Sequence, residues 1–130
     1  MSIPSFIYRM VVHIYISDQR GFRYYDLFQL VIDTTNIKNS NSILQKQVLN
    51  TRFISLDKGN QDKTNSIIDM MVYHSNPFRI LLYSENTSTC CYLFVQYMMD
   101  KYHFTKEDLS RLFSTSTLPT VMLQQMNDAL

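Results

Sequence analysis

A short polar loop between two apolar segments is the place where this chain could bind an anion or carry out catalysis. Arg79–Tyr83 is almost entirely apolar, Ser84–Thr89 is polar, and an apolar run follows from Cys90. The first backbone amides of a helix are unpaired and carry partial positive charge, so a strand-to-helix loop can bind phosphate or lower the pKa of a thiol. This loop has no Gly, Lys or Arg, and therefore lacks the residue types that usually bind phosphate there.

The composition argues against several other kinds of site. Two glycines in 130 residues leave no Gly-rich phosphate loop or dinucleotide motif. The three histidines are far from one another and from the two cysteines, so zinc-ligand spacing is absent and we expect neither a metal nor a cofactor. Because the formal net charge is only +1 and the basic residues are dispersed, we expect no nucleic-acid partner.

The apolar runs and the cysteines indicate the cellular compartment in which we expect the protein. The apolar runs are too short to cross a bilayer, and the first residues lack the regions of a secretory signal. Cys90 and Cys91 are adjacent and do not form a disulfide framework. We therefore expect an intracellular protein, most simply a cytoplasmic one, with no membrane insertion.

The chain is expected to form one domain over residues 1–130, with strands concentrated in its first half. With 45% hydrophobic and 18% charged residues, the composition is that of a folded protein. Runs rich in β-branched and aromatic residues predict four strands, at Met10–Ile16, Phe28–Ile32, Arg52–Leu56 and Arg79–Tyr83. Ser17–Gly21 is predicted to end the first strand, and Tyr24–Leu27 to form a helical turn. The fourth strand is so apolar that we expect it at the centre of the sheet.

Helices are predicted mainly in the second half. Apolar spacing indicates a helix between Asp62 and His74, and another, apolar almost all round, over Thr89–Tyr102. Thr105–Asp108 has the form of a capping box, and Pro119 suits a first helical position. These two helices are expected to bury one side each, formed by Leu109, Leu112 and Phe113 in the first and by Met122, Met126 and Leu130 in the second. The predicted fold is α/β, with a small mixed, mostly parallel sheet flanked by helices.

This order of elements, with several local patterns, resembles the dual-specificity phosphatase branch of the cysteine-dependent protein tyrosine phosphatases. Leu30–Asn36 is similar to the family's strand and Asn/Thr-rich turn, and Phe53–Asp57 to the segment that carries its general-acid aspartate. Phe94–Met99 and Pro119–Gln125 are similar to helical segments after the phosphate loop. The resemblance covers most of the chain and implies a protein tyrosine phosphatase-like fold, with Asp57 at the former general-acid position.

The signature of that family, His-Cys-x-x-Gly-x-x-Arg-Ser/Thr, falls on Tyr83 to Cys91, and every signature residue is replaced. Tyr83 stands at the histidine position and Ser84 at that of the nucleophilic cysteine. Thr87 replaces the glycine, Cys90 the arginine and Cys91 the hydroxyl residue. The remaining loop positions are Glu85, Asn86, Ser88 and Thr89.

These replacements remove the chemistry that the signature supplies. A serine hydroxyl is far less acidic than a thiol, and no base nearby in the sequence would activate Ser84. The arginine fork stabilises charge on the transferred phosphoryl group, which the thiol of Cys90 cannot do. Glu85 adds a negative charge where a phosphate dianion would bind. No shifted register restores the pattern, because Gln96 and Tyr97 stand six residues after the two cysteines.

The resemblance and the lost signature predict a catalytically dead phosphatase-like domain that serves as a protein-binding or structural subunit of a larger assembly. Two alternatives remain open: an active phosphatase with unconventional chemistry based on Asp57 and Ser84, and an unrelated small α/β protein, of viral or parasite origin, that binds host proteins. The first predicts turnover that depends on Ser84. The second does not require Ser84–Thr89 to wrap a helix N-terminus.

Each candidate group also has a purely structural interpretation. Asp57 fits a turn after a strand, and Cys90 and Cys91 fit small core residues better than reactive thiols. The hydroxyls of Ser84–Thr89 are expected to cap the following helix. His13, His74 and His103 are interpreted as structural, and the Met- and Tyr-rich helices as core. We predict that some of the aromatic residues Tyr8, Phe22, Tyr24 and Tyr25 are exposed and form a patch that faces a partner.

Overall fold

A computed structural model of the chain describes residues 2–11, 14–33, 52–55 and 79–130, which form a five-stranded sheet with helices on both faces. The strands are β1 (Tyr8–Val11), β2 (Ile14–Ser17), β3 (Leu30–Asp33), β4 (Arg52–Ser55) and β5 (Ile80–Tyr83). Their order in the sheet is β1-β2-β5-β3-β4. Only the β1–β2 pair is antiparallel, while β2, β5, β3 and β4 run parallel. The predicted α/β fold with a mixed, mostly parallel sheet is confirmed.

Four helical segments complete the described part of the chain. A 3₁₀ segment spans Gln19–Leu27, and the α-helices are α1 (Ser88–Tyr102), α2 (Lys106–Ser114) and α3 (Thr120–Asp128). The helices α1, α2 and α3 contribute to a hydrophobic cluster on one face of the sheet, whereas the aromatic residues of the 3₁₀ segment cover the other face. The sheet is therefore covered on both sides, as parallel sheets usually are.

The central position of β5 agrees with its sequence. This strand lies between β2 and β3, and its four side chains are between 0% and 4% exposed. A side chain of this type stabilises a fold by about 1.5–3 kcal/mol when fully buried. The end of β5, where the polar loop begins, is therefore fixed firmly in the middle of the domain.

The first predicted strand is wrong in its boundaries. Met10–Ile16 contains the ends of two antiparallel strands, with Tyr8 opposite Ile16. Periodicity did not reveal the reversal because no Gly, Pro, Asn or Asp interrupts the apolar run. The register also shifts between Arg9 and Val11, which marks an irregularity of the edge strand.

The segment that follows β2 also differs from the prediction. Ser17–Gly21 was expected to end the strand in a turn, and Tyr24–Leu27 to form the only helical part. Instead, the 3₁₀ segment already begins at Gln19, because Asp18 Oδ1 accepts the amide of Arg20 at 3.0 Å. Strand β3 accordingly begins at Leu30, two residues later than predicted.

The three α-helices described after β5 match their predictions except in three details. The capping box before α2 is confirmed, and Leu109 and Phe113 are buried, but Leu112 is 48% exposed. The contact surface of α2 is narrower than expected, so only residues four apart reach the core. Pro119 is the N-cap of α3 rather than its first residue, and Leu130 lies beyond the helix end, half-buried.

Several predicted features lie outside the described residues. They are the helix between Asp62 and His74, the general-acid position Asp57, and the histidines His13 and His74.

The capping box gives a direct stability prediction. Thr105 Oγ1 accepts the amide of Asp108 at 3.1 Å, and Asp108 Oδ2 accepts the amide of Thr105 at 3.1 Å. Thr105→Ala should therefore lower the free energy of unfolding by about 1 kcal/mol in urea titrations. Thr105→Ser keeps the hydroxyl and serves as the control. Equal stability of the Ala and Ser variants would show that the box does not stabilise α2.

Candidate functional site

The polar loop is anchored at its first residue by the neighbouring strand β2. The amide of Ser84 donates to the carbonyl of Ser17 at 3.3 Å, at the point where both strands end. Ser17 itself is fully buried, and Gly21 packs against it so closely that a Cβ at position 21 would collide with the Ser17 side chain. Close approach of the 3₁₀ segment thus requires glycine there and fixes the start of the loop.

The loop then leads directly into the N-terminus of α1. Residues 84–87 connect β5 to the helix, which begins at Ser88. This is the arrangement that the phosphatase-like interpretation predicts and that an unrelated α/β fold does not require.

The two positions that the resemblance assigns to nucleophile and arginine touch each other inside the domain. Cys90 Sγ lies 3.2 Å from Ser84 Oγ. Ser84 is 2% exposed and Cys90 0% exposed, so neither side chain faces solvent. The pair forms a small polar contact within the core. Cys91 is also fully buried, as the core interpretation of both cysteines predicted.

Thr87, at the glycine position, adopts the left-handed conformation. Its φ is 65° and its ψ is −10°, which an L-residue with a branched Cβ adopts at a cost of about 1–2 kcal/mol. Its side chain is 8% exposed, and its Oγ1 lies 2.6 Å from Oε1 of Gln125 in α3. The loop therefore retains a backbone conformation that suits glycine and holds it with a threonine side chain.

The expected capping of α1 by Ser and Thr hydroxyls is wrong. Thr87 occupies the N-cap position but makes no side-chain cap hydrogen bond. Instead, Asn86 Oδ1 accepts the amide of Ser88 at 3.1 Å, and the carbonyl of Thr87 accepts the amide of Cys91 at 2.9 Å. The left-handed backbone turns the Thr87 hydroxyl toward α3, so the preceding amide side chain takes over the cap. Glu85, Asn86 and Ser88 are exposed, and Thr89 is half-buried.

Tyr83, at the histidine position, is a buried residue beside an acidic one. Burial raises the pKa of the Tyr83 hydroxyl, and the neighbouring carboxylate of Asp33 raises that pKa further by charge and hydrogen bonding. Asp33 is 1% exposed and lies opposite Tyr83 at the end of β3. A phenol in this setting stays protonated and cannot act as a base near neutral pH.

A cleft of about 220 Å³ opens beside the loop and brings an unexpected arginine to it. It is lined by Phe6, Tyr8, Asp18, Arg20, Glu85, Asn86, Thr87, Pro119, Val121 and Met122. Sequence analysis did not assign any cation to this site, because Arg20 is far from the loop along the chain.

Arg20 is already bound within the domain. Its Nε lies 3.0 Å from Asp18 Oδ1 and its Nη2 lies 2.8 Å from Asp18 Oδ2, while its guanidinium stands 4.3 Å from the centre of the Phe6 ring. The pair lowers the pKa of Asp18 and raises that of Arg20. The exposed carboxylate of Glu85 lines the same cleft. Taken together, the side chains of Asp18, Arg20 and Glu85 give the cleft a negative net formal charge.

The described residues contain no group of three His, Cys, Asp or Glu side chains that could hold a metal ion. Within the same ranges, no helix is long and apolar enough to cross a bilayer.

The aromatic residues predicted to face a partner also pack in the interior of the fold, and the partner-facing role stays a prediction. Tyr8, Phe22, Tyr24 and Tyr25 are all half-buried and pack against the two hydrophobic clusters. Phe22, for example, lies 5.7 Å from the ring of Tyr83 and 6.0 Å from that of Tyr25. The large apolar side chains that are exposed in the described part of the chain are Tyr102, Phe104, Leu112 and Val121.

Comparison with solved structures identifies the fold. The crystal structure of human DUSP28 matches with a TM-score of 0.66, covering 98% of this chain and 94% of that one at 11% identity. A Tyr-to-His variant of human DUSP28 matches with a TM-score of 0.63, covering 97% and 94%, also at 11% identity. The fold is dual-specificity phosphatase-like.

At this identity the likeness establishes the fold and nothing finer. The sequence matches no protein-family model, and no curated protein is significantly similar to it. The fold part of the sequence-based resemblance is therefore confirmed, while the loss of catalysis stays a prediction.

The buried thiol of Cys91 predicts an alkaline loss of stability. Burial and, to a smaller extent, the neighbouring Cys90 raise the pKa of Cys91 to about 12, although the Thr87 hydroxyl opposes the shift. The thiol of the unfolded chain loses its proton near the ordinary pKa of 9.0, while the folded thiol keeps it. Stability from this group is thus complete below pH 9 and falls by up to about 1.4 kcal/mol per pH unit until pH 12.

Urea titrations between pH 8 and pH 11 would measure this effect (roughly the window set by the two pKa values). Cys91→Ala removes the titrating thiol and should show a shallower decline over the same range. Parallel declines for wild type and variant would contradict the assignment of the effect to Cys91.

Proposed function

We propose that this chain is a catalytically inactive dual-specificity phosphatase-like domain that acts as a protein-binding or structural subunit of a larger assembly. The observation that carries the proposal is the contact between Ser84 and Cys90. The resemblance assigns these side chains to the nucleophile and arginine positions, and they lie 3.2 Å apart in the interior. A reacting phosphate monoester needs both groups to face it, and here both face each other.

The energetics of phosphoryl transfer support the same conclusion. The reaction depends on positioning and on positive groups that stabilise charge spreading over the phosphoryl oxygens. The loop Ser84–Thr89 has one formal charge, the carboxylate of Glu85, and it is exposed at the cleft. Arg20 brings a positive charge to the same cleft, but the carboxylate of Asp18 pairs with its Nε and Nη2 and offsets that charge. A phosphate dianion near Arg20 would therefore also meet the repulsion of Asp18 and Glu85.

A phosphatase assay tests the inactive state. We expect purified protein to hydrolyse an aryl phosphate no faster than its Ser84→Ala variant, because the Ser84 hydroxyl has no activating base. Asp57→Asn is a second arm, since the unconventional mechanism assigns the general acid to that residue. Turnover that disappears in both variants would establish the unconventional phosphatase and overturn the proposal.

The binding role is tested separately. We expect the protein, purified under native conditions from its own source, to retain a protein partner in a fixed ratio. Val121 is 66% exposed and lines the cleft beside the loop, so Val121→Asp should reduce that ratio if the partner contacts this face. Leu112→Asp, on an exposed residue that lines a different cleft, is the matched control. Protein that elutes alone, at the mass of its own chain, would contradict the subunit role.

A further inference from the structure

The side chain of Gln125 connects α3 to the degenerate loop at two points and to the first turn of α1 at a third. Its Nε2 donates to the carbonyl of Asn86 at 2.9 Å, and its Oε1 lies 2.6 Å from Thr87 Oγ1. The same Oε1 is 3.6 Å from Cys91 Sγ in the first turn of α1. These contacts join residues that are 34 to 39 positions apart in the chain.

The neighbouring glutamine shows that the arrangement is specific to position 125. Gln124 lies on the same helix but is exposed, and its Nε2 donates to Asp128 Oδ1 at 2.8 Å, one turn further along. Gln125 is half-buried, and its helix is already fixed to the core by Met122 and Met126. The amide of Gln125 is thus held against the loop by a packed helix.

Loop chemistry explains why such a contact matters. Thr87 carries a left-handed backbone that is unfavourable for a β-branched residue, and the loop has no cation of its own to hold its carbonyl and hydroxyl groups. A primary amide has a donor and an acceptor side by side, which match the Asn86 carbonyl and the Thr87 hydroxyl. The neutral amide can therefore hold the loop without a charged ligand.

We propose that Gln125 is a positioning residue that locks α3 onto the loop, and that release of this lock is the step that exposes the Cys90–Cys91 pair. In the locked state both thiols are fully buried. Opening at α3 removes the group that contacts Cys91 Sγ and separates Met122 and Met126 from the cluster that contains both cysteines. The proposal does not depend on the loop being inactive.

Thiol labelling of the full chain tests the lock. At pH 8, the Cys90–Cys91 pair should react with iodoacetamide roughly 10- to 100-fold faster in Gln125→Ala than in wild type, as expected for the loss of two hydrogen bonds. Gln124→Ala is the matched control and should label at the wild-type rate. Thr87→Val removes the hydroxyl that faces Gln125 and should also accelerate labelling. The double variant Gln125→Ala/Thr87→Val should label much more slowly than the product of the two single-variant accelerations predicts, because both changes break the same contact.

Global unfolding is separated from local opening by a second core variant. Phe28 is buried in the cluster on the opposite face of the sheet, so Phe28→Leu lowers overall stability without touching the lock. If thiols are exposed only by global unfolding, the labelling rate of a variant follows from its free energy of unfolding in urea. Phe28→Leu should label at the rate that this free energy predicts, whereas Gln125→Ala should label faster than its own free energy predicts. The lock does not exist if Gln125→Ala labels at the same rate as Gln124→Ala. It also does not exist if the labelling rate of Gln125→Ala is fully explained by its free energy of unfolding, as we expect for Phe28→Leu. Phosphatase activity is not a readout here, so either proposal can fail alone.

Discussion

The left-handed backbone at Thr87 is the constraint on which the rest of the loop depends. With a φ of 65°, this residue turns the chain from the buried end of β5 into the first turn of α1. Glycine adopts this conformation freely, whereas a β-branched residue does not. The surroundings must therefore hold Thr87 in place. They do so through Gln125, which meets its hydroxyl, and through the amide of Cys91, which donates to its carbonyl.

The electrostatic character of the site follows from the side chains that stand at the predicted nucleophile and arginine positions and from the pairing of Arg20. Phosphatases with the Cys-to-Arg signature need a thiolate and a guanidinium, and each of these charges is costly to bury unless an opposite charge pairs with it. In this chain the small side chains of Ser84 and Cys90 stand at those two positions according to the resemblance, and they are buried in contact with each other. Arg20, which reaches the cleft from the 3₁₀ segment, has its own carboxylate and an aromatic ring. The positive charge that lines the cleft is therefore balanced by a carboxylate of the same chain.

Sequence reasoning succeeded where the signal is local and failed where it is tertiary. The boundaries of β5, α1 and the capping box of α2 follow from apolar runs and from residues three or four apart. The β1–β2 reversal was missed because no turn residue marks it, and the cap by Asn86 because its neighbours have equally suitable side chains. Nothing near the loop in the sequence indicates that Arg20 reaches its cleft. Gln125 lies in the segment Pro119–Gln125, which the sequence analysis found similar to a helical segment of the phosphatase family. Its contact with Thr87, 38 residues away in the chain, can be seen only in the folded structure.

The shape of the loop is imposed by the core and does not require phosphate chemistry. All four side chains of β5 are buried, and α1 buries seven residues, including Leu93, Phe94 and Tyr97. Displacing either element would expose apolar surface at about 1.5–3 kcal/mol per large side chain. Changing a loop residue alters a few hydrogen bonds, each with a net effect of about 0.5–1.5 kcal/mol. The strand and helix therefore fix the path between them far more strongly than the loop residues do. A domain with this core keeps a phosphatase-like loop whether or not its residues can catalyse a reaction.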